Sequence, residues 1–359
     1  MIIAIVVVLI ALVLYLEFHW SERAMNHISY RSEYDRILAE PGEVITQTAV
    51  VTNTGYLPMM YVRVFENLPK DIRIEESDEW MARNISALLF NLASNFKMYV
   101  LPRSKAKLKM RFSLPRRGEY ERNEYKIEVG DLLGVKSYIR NGTQREKMVI
   151  MPRNTDDPVA LKTLGGLMGD ISVRRFIFED PVLTMGFREY TGREPMKSIS
   201  WTKTARSGEL YVKQYDHTTE TNVVVVLNVE NGTLEQLESC YEIVRTACEK
   251  LEQMHLPYEF YTNGDLRSPI GSLSWMEEGL GEKHFRALMY GLGSANGQCL
   301  GTFEELAMRC SKRKKSGTSY ILVTPPLRAN SDKALEILRG ISDYEVCILE
   351  GKGIQEEKP

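Results

Sequence analysis

A chain of 359 residues is longer than one ordinary domain requires; at roughly 150 residues per domain it holds about two folded units with a segment to spare. Its 46 Lys and Arg against 48 Asp and Glu leave a formal net charge of −2, which excludes the basic excess of a dedicated nucleic-acid binder. A hydrophobic content of 43% with 26% charged residues excludes wholesale disorder.

The chain opens on an apolar run, Met1 to Leu16, without charge, Gly or Pro, and the run continues past Glu17 to Phe18 and Trp20. A bilayer core about 30 Å thick takes roughly 20 apolar residues as a helix, so residues 1–20 are expected to form one transmembrane helix. Tyr15, Phe18 and Trp20 then fall at the headgroups. A cleaved signal peptide would carry basic residues before the run and small residues at a cleavage point, and neither is evident. Arg23, Arg31 and Arg36 follow the run and none precedes it, so the positive-inside rule places the bulk of a single-pass chain on the cytoplasmic side of the cell membrane.

Residues 29–152 read as a β-sandwich domain. Glu43 to Val51 is rich in β-branched residues and ends at Thr52-Asn53-Thr54-Gly55, and a second such run covers Met59 to Glu66. The clearest period-two stretch places Ala106, Leu108, Met110 and Phe112 on one face and Lys105, Lys107, Lys109 and Arg111 on the other. That cation row fits either anionic lipid headgroups near the anchor, or a solvated face or lysine-protected edge strand. Met81 to Asn95 lacks strand alternation and reads as an insertion or a short helix.

Past a connecting segment at 153–219, residues 220–353 alternate between strand and helix patterns. Thr221 to Asn228 is a continuous β-branched run, as in a strand covered on both faces. A helical pattern from Thr233 to Met254 follows, with Leu234, Leu237, Tyr241, Val244, Cys248 and Leu251 recurring at three and four residues. Strand-like Tyr258 to Thr262, helical Lys283 to Tyr290 and Glu304 to Lys312, strand-like Tyr320 to Val323, helical Ser331 to Leu338 and a last strand at Tyr344 to Leu349 complete a doubly wound α/β pattern. Ligands of such sheets bind beyond the carboxyl ends of the strands, which directs attention to residues 228–232.

Catalytic motifs are not evident. His19, His27, His217, His255 and His284 are scattered, no phosphate-binding glycine loop or G-x-S-x-G elbow occurs, and the acidic doublets Glu75-Glu76 and Asp156-Asp157 fall in loop-like sequence. Cys240, Cys248, Cys299, Cys310 and Cys347 are odd in number without C-x-x-C spacing, which fits buried free thiols in a reducing compartment.

The stretch from Gly186 to Gln214 resembles the signature of the domain-of-unknown-function 58 family, with Arg188, Tyr190, Lys197, Ile199, Trp201, Thr204, Ala205 and Arg206 at the family's spacing. Arg116-Arg117-Gly118-Glu119-Tyr120 and Asp131-Leu132-Leu133-Gly134 resemble upstream pieces of the same family. The resemblance implies a membrane-anchored α+β multidomain protein, in which an immunoglobulin-like β-sandwich precedes a von Willebrand factor A-like α/β domain. Relatives are commonly encoded beside MoxR-type AAA+ ATPases, and no general catalytic activity is established for them. The expectation is a non-catalytic, membrane-tethered scaffold or adaptor that partners such an ATPase in envelope or complex assembly, with no nucleic acid and no cofactor.

Two departures bear on that expectation. Gly192-Arg193-Glu194 stands where relatives have Pro-Gly-Asp. A metal-binding von Willebrand A domain carries Asp-x-Ser-x-Ser after its first strand, whereas Asn228, Glu230 and Gly232 occupy those positions here. The alternative function is therefore a divalent-cation-dependent ligand-binding domain, Mg²⁺ being the candidate, with a rearranged site. For the signature, Arg188, Tyr190, Lys197, Trp201 and Arg206 either form a surface that docks a partner or belong to a structural joint. In the joint, Tyr190, Ile199 and Trp201 pack between the domains and the arginines pair with Glu189, Glu194 and Glu209.

Overall fold

The computed structural model describes residues 25–69, 71–77, 85–88, 91–130, 136–177, 180–192, 194–216, 222–268, 271–315, 317–328 and 331–352, together with Val8, Ala11 and Tyr15. Those three isolated positions are helical, and the expected anchor at 1–20 otherwise lies outside the described residues. Among the described residues no helix is long and apolar enough to cross a membrane. The chain divides into two compact units, one of Met1–Arg153 with Leu292–Ser294, the other of Asn154–Gly291 with Ala295–Pro359.

In the first unit, β1 (Ile28–Tyr34), β3 (Ile45–Asn53), β8 (Lys105–Ser113) and β5 (Arg73–Ser77) form one antiparallel sheet in the order β1-β3-β8-β5. The second sheet runs β2 (Leu38–Ala39), β10 (Ser137–Ile150), β9 (Gly118–Gly130), β4 (Met59–Leu68), β7 (Asn91–Val100), β6 (Ile85–Leu88). Strand β3 shows why the chain folds so: Ile45, Gln47, Ala49, Val51 and Asn53 point inward and Thr46, Thr48, Val50 and Thr52 outward, the alternation a pleated strand imposes. Ile45, Val51, Met110 and Phe112 of the first sheet meet Val62, Val64, Ile127 and Met148 of the second in one core. Each such side chain contributes about 1.5–3 kcal/mol by leaving water.

Two expectations are corrected. The segment expected as an insertion or short helix is, over 85–88 and 91–95, an antiparallel strand pair, with β7 also bonded to β4. Cross-strand hydrogen bonds override the weak local propensity of its Ala, Asn and Leu. The lysine-bearing strand β8 is not an edge: β3 pairs one side along its length and β5 pairs the other at residues 110–113. Its cations do face solvent, as the alternation requires.

The edge formed by β1 is closed by side chains rather than by another strand. Gln144 Oε1 accepts from the Ser32 N–H (3.0 Å) and Gln144 Nε2 donates to the Ser32 carbonyl (2.6 Å), so one amide imitates a neighbouring backbone. Gln144 lies at an irregularity in the β9–β10 register between Thr143 and Glu146.

The second unit centres on a sheet ordered β17-β14-β13-β18-β19, of β17 (Trp275–Gly279), β14 (Tyr258–Thr262), β13 (Asn222–Leu227), β18 (Thr318–Thr324) and β19 (Cys347–Glu350). All neighbours are parallel except β17, which runs antiparallel on β14, a departure from the wholly parallel sheet expected. Helices α1 (Pro158–Ile177), α2 (Trp201–Ser207), α3 (Leu234–Gln253), α4 (Glu282–Ser294), α5 (Phe303–Ser311) and α6 (Asp332–Ile341) accompany it. Val224, Val226 and Leu322 pack with Phe303, Leu306 and Leu338 of α5 and α6, while α1 and α3 lie on strands β19, β18 and β13 from the opposite face. The unbroken apolar run of β13 follows from that double coverage.

Two helices start on side-chain caps. Thr233 with Gln236, and Thr302 with Glu305, form reciprocal capping boxes at α3 and α5. The signature and connecting segment at 153–219 holds helix α1, the short α2 and a separate ribbon of β11 (Asp180–Glu189) with β12 (Tyr211–Asp216). A two-residue pair, β15 (Arg267–Ser268) and β16 (Gly271–Ser272), precedes β17.

Candidate functional site

Strands β13, β14 and β18 end side by side, and the chain reverses direction across the sheet between β13 and β18. Such a switch point opens a crevice at the carboxyl ends of the strands. Each strand delivers a small polar residue there: Asn228 follows β13, Asn263 follows β14, and Thr324 closes β18.

All three are buried and bonded to one another. Asn228 Nδ2 donates to Thr324 Oγ1 (3.0 Å), and Asn228 Oδ1 accepts from Asn263 Nδ2 (2.8 Å) and from the Glu230 N–H (3.1 Å). Asn263 Oδ1 accepts from the Val229 N–H (2.9 Å), and its Nδ2 also donates to the Gly301 carbonyl (3.0 Å). The network thus ties three loops together through neutral amides, and its polar atoms point at each other.

The neighbouring positions complete the arrangement. Glu230 Oε2 accepts from the Phe303 N–H (2.7 Å), so the carboxylate caps the first turn of α5, where the helix dipole favours negative charge. At Gly232 a Cβ would stand 2.6 Å from a Leu237 methyl and 2.7 Å from the Pro325 ring, so the site has no room for a serine. An octahedral cation needs several free oxygens; the amide oxygen of Asn228 and Oε2 of Glu230 already accept hydrogen bonds, and Gly232 brings no side chain. The residues present do not fit Mg²⁺. Among the described residues no group of three or more His, Cys, Asp or Glu converges as a metal site would require.

Beside this network lies a cleft of about 480 Å³ lined by Thr262, Asn263, Leu300, Glu305, Arg309 and Lys312 among others. Arg309 is partly spent, donating to the Thr262 carbonyl at 2.9 Å. The Cys299 thiol, adjacent in sequence, donates to the Gly301 carbonyl (3.0 Å). Partial burial pushes this thiol up, and Glu230 and Glu305 act in the same direction, so it stays protonated and weakly nucleophilic. Cys240 and Cys310 are buried in the same unit and pushed up to about 12 by desolvation.

The signature residues are brought together elsewhere in this unit. Arg188 near the end of β11 faces Val212 of β12, and Ile199 bridges to Val212 from the other edge. Ile199 and Val212 are buried, and Ser200 N–H donates to the Tyr211 carbonyl (2.8 Å). Arg188 Nη1 donates to Glu194 Oε1 at 2.5 Å, and the Thr191 hydroxyl donates to the same oxygen at 2.8 Å. The Thr191 hydroxyl, with Arg188 assisting, holds the Glu194 carboxyl down at about 2. Glu194 thus ties back to Thr191 and Arg188.

The joint reading expected buried aromatics and paired arginines. Arg188 pairs with Glu194 as that reading required, and Ile199 is buried, but Trp201 at the start of α2 is 59% exposed. Lys197 and Arg206 are exposed as well, and Tyr190 is half-buried. Met196, Leu210 and Phe187 join Trp201 as large exposed apolar side chains of the same ribbon and helix.

Sequence reasoning found Asn228 and Glu230 but passed over Asn263 and Thr324. The available signal was positional, since both residues sit at the end of a strand-like run and before a breaker, Gly264 and Pro325.

No family model matches the chain, and no curated protein does. Among solved structures, the Pseudomonas fluorescens alkylpurine DNA glycosylase AlkC bound to DNA is 8% identical, covering 34% of this chain and 30% of that one at a TM-score of 0.19. The ASH/PapD-like domain of human CEP192 is 12% identical over 34% of this chain and 86% of its own, at a TM-score of 0.21. A CARDB domain from Pyrococcus furiosus in complex with di-metal ions is 12% identical over 34% of this chain and 94% of its own, at 0.22. Likenesses this slight carry no inference about fold or activity.

Proposed function

We propose that this chain is a non-catalytic, membrane-tethered adaptor, built from an immunoglobulin-like sandwich and a von Willebrand factor A-like domain, that docks a protein partner through its signature segment. The observation that carries this reading is the exposure of Trp201, Met196, Leu210 and Phe187 within one short segment that also exposes Lys197 and Arg206. Aromatic and arginine side chains at an accessible patch are the residues that dominate interface energies. Supporting the fold reading is the strand order β17-β14-β13-β18-β19 with one antiparallel edge strand.

The strand-end network supports docking rather than cation chemistry, because its side-chain oxygens are committed to amides and a helix cap. The resemblance suggests a MoxR-type AAA+ ATPase as partner, which would set the chain's place in envelope or complex assembly.

Cross-linked pull-down from native membranes tests this, comparing wild type with Trp201→Ala and Arg188→Ala. Recovery of an AAA+ ATPase that falls about tenfold or more in Trp201→Ala, as for an interfacial hot spot, is the expected result. Equal recovery from both folded variants would remove the signature as a docking surface.

A further inference from the structure

The sandwich has two ends, and they differ. Among its described residues, the exposed large apolar side chains are Tyr56, Leu57, Met60, Tyr99, Leu101 and Ile139 at one end, with Ile37 alone at the other. The register fixes this placement. Asn53 pairs with Ile28, Thr52 with Lys105, Met59 with Val100, and Tyr61 with Gly130, which in turn pairs with Ser137. The β3–β4 loop, the β7–β8 loop and the start of β10 therefore share the end at which the chain enters β1.

That end is built rather than frayed. The buried Asn53 side chain donates to the Leu57 carbonyl (2.7 Å) and the Leu101 carbonyl (3.1 Å), and its oxygen accepts from the Gly55 N–H (2.8 Å). Arg103, in the left-handed region at φ 50°, donates its N–H to the Gly55 carbonyl (3.0 Å) and lays its guanidinium 4.0 Å over the Tyr56 ring. One amide therefore holds both loops, with their apolar side chains turned outward and 73% of Tyr56 exposed. The segments 54–60 and 99–105 contain no Asp or Glu and carry Arg103 and Lys105.

The entering chain is pinned at the same place. Arg140 donates to the Met25 carbonyl (3.0 Å) and the Ile28 carbonyl (2.6 Å), and Thr54 N–H donates to the His27 carbonyl (2.8 Å). The apolar run ends at Trp20, so four residues separate it from Met25 and the five steps between them reach at most about 18 Å.

We propose that this end of the sandwich is a lipid-docking tip, in which Tyr56, Leu57 and Leu101 enter the interface of an anionic bilayer while Arg103 and Lys105 meet its phosphates. Tyrosine rings with an apolar body and a wet hydroxyl suit the headgroup level. Basic residues near an anionic leaflet gain about 1 kcal/mol each, about a fivefold change in partitioning. The tip would hold the sandwich upright on the membrane rather than leave it swinging on its linker. This inference rests on reading residues 1–20 as an anchor, and on nothing at the signature segment.

Photo-crosslinking separates the two. Benzoylphenylalanine is placed at position 57, 101 or, as the opposite-end control, 37 of the full chain, which is reconstituted into phosphatidylcholine vesicles with or without phosphatidylglycerol. Expected are lipid adducts at 57 and 101 and few at 37, falling about fivefold for each charge lost in Arg103→Gln and Lys105→Gln, and falling likewise without phosphatidylglycerol. Carbonate extraction of the same vesicles reports the anchor independently. A carbonate-resistant chain without lipid adducts at 57 and 101, or with adducts to a second copy of the chain instead, overturns the tip and leaves the anchor standing. A chain that carbonate removes and that still forms the adducts supports the tip and refutes the anchor; loss of both overturns both.

Discussion

Each unit buries a polar cluster, and the two clusters are made of different chemistry. In the sandwich it is ionic: Glu66, 2% exposed, accepts from Arg122 Nη1 (3.0 Å), from Gln47 Nε2 (2.7 Å) and from the Tyr30 hydroxyl, and Arg122 lies over the Tyr34 ring. In the α/β domain the cluster is neutral, made of Asn228, Asn263 and Thr324. The ionic cluster joins β1 and β3 of one sheet to β4 and β9 of the other. A charge placed there is tolerable only in one sheet-to-sheet alignment, so it specifies the packing at a cost in desolvation. Burial and the Glu66 charge together push the Tyr30 hydroxyl well up, which keeps it a donor.

The neutral cluster at the strand ends needs no counter-ion. Amides satisfy each other as donor and acceptor at once, which a carboxylate cannot do. The lesson is that buried polarity in this chain orders backbone: across two sheets in one unit, across three loops in the other.

The sharpest way to break this comparison is to remove one charge from the sandwich. Arg122→Ala leaves Glu66 buried without its cation and is expected to cost about 3–5 kcal/mol, read as earlier loss of protection in β4 and β9 amides by hydrogen exchange in denaturant. Replacing both partners with apolar residues, Glu66→Met with Arg122→Leu, is expected to cost less, because no buried charge is left without its counter-ion, although Gln47 and Tyr30 lose Glu66 as an acceptor. A double variant as unstable as the single one would show that the pair contributes more than it costs.

The neutral cluster should respond less. Asn263→Ala takes away the acceptor of the Val229 N–H and one of the two donors to the Asn228 amide oxygen, and a loss of about 1–3 kcal/mol is expected by the same measurement on β13 and β14 amides. Gly232→Ser presses a Cβ into Leu237 and Pro325 and is expected to cost about 1–3 kcal/mol. Calorimetric titration with Mg²⁺ or Mn²⁺ should give no heat in wild type or in Asn228→Asp. A cation-dependent rise in melting temperature would reverse the reading of this site.

The smallest effect is local. In Thr191→Val the Glu194 carboxyl loses its main support and should titrate upward from about 2 towards its ordinary 4.5, visible in the NMR shift of its carboxyl carbon. The sign follows from a carboxyl held low by folding. The turn's contribution is complete above about 4.5 and fades as pH falls towards about 2, so acid should loosen the signature turn.

Periodicity alone determined much of this protein. Alternation in β8, the β-branched runs of β3 and β13, and the three-and-four spacing of α3 are local patterns whose meaning needs no partner strand. The exposed solvent face of Lys105, Lys107, Lys109 and Arg111 was equally legible, because side-chain direction in a strand follows from its pleat. Strand β7 and helix α1 were not. Ala93 and Asn95 acquire strand structure only when β4 supplies hydrogen-bond partners, and in α1 the helically spaced Ala160, Leu164, Met168 and Ile171 are interleaved with Gly165, Gly166 and Gly169, poor helix formers that mute the local signal.

At the candidate site, the residues after β13 were legible because strand ends in α/β sheets bind ligands, while Asn263 and Thr324 entered only when the parallel order placed three strand ends together. Register likewise decided that Tyr56, Leu57, Leu101 and Arg103, distant in sequence, share the end where the chain enters the sandwich. Sequence fixes the direction of each side chain from its own strand. Which side chains become neighbours depends on pairings between segments tens of residues apart, and only the folded chain makes them.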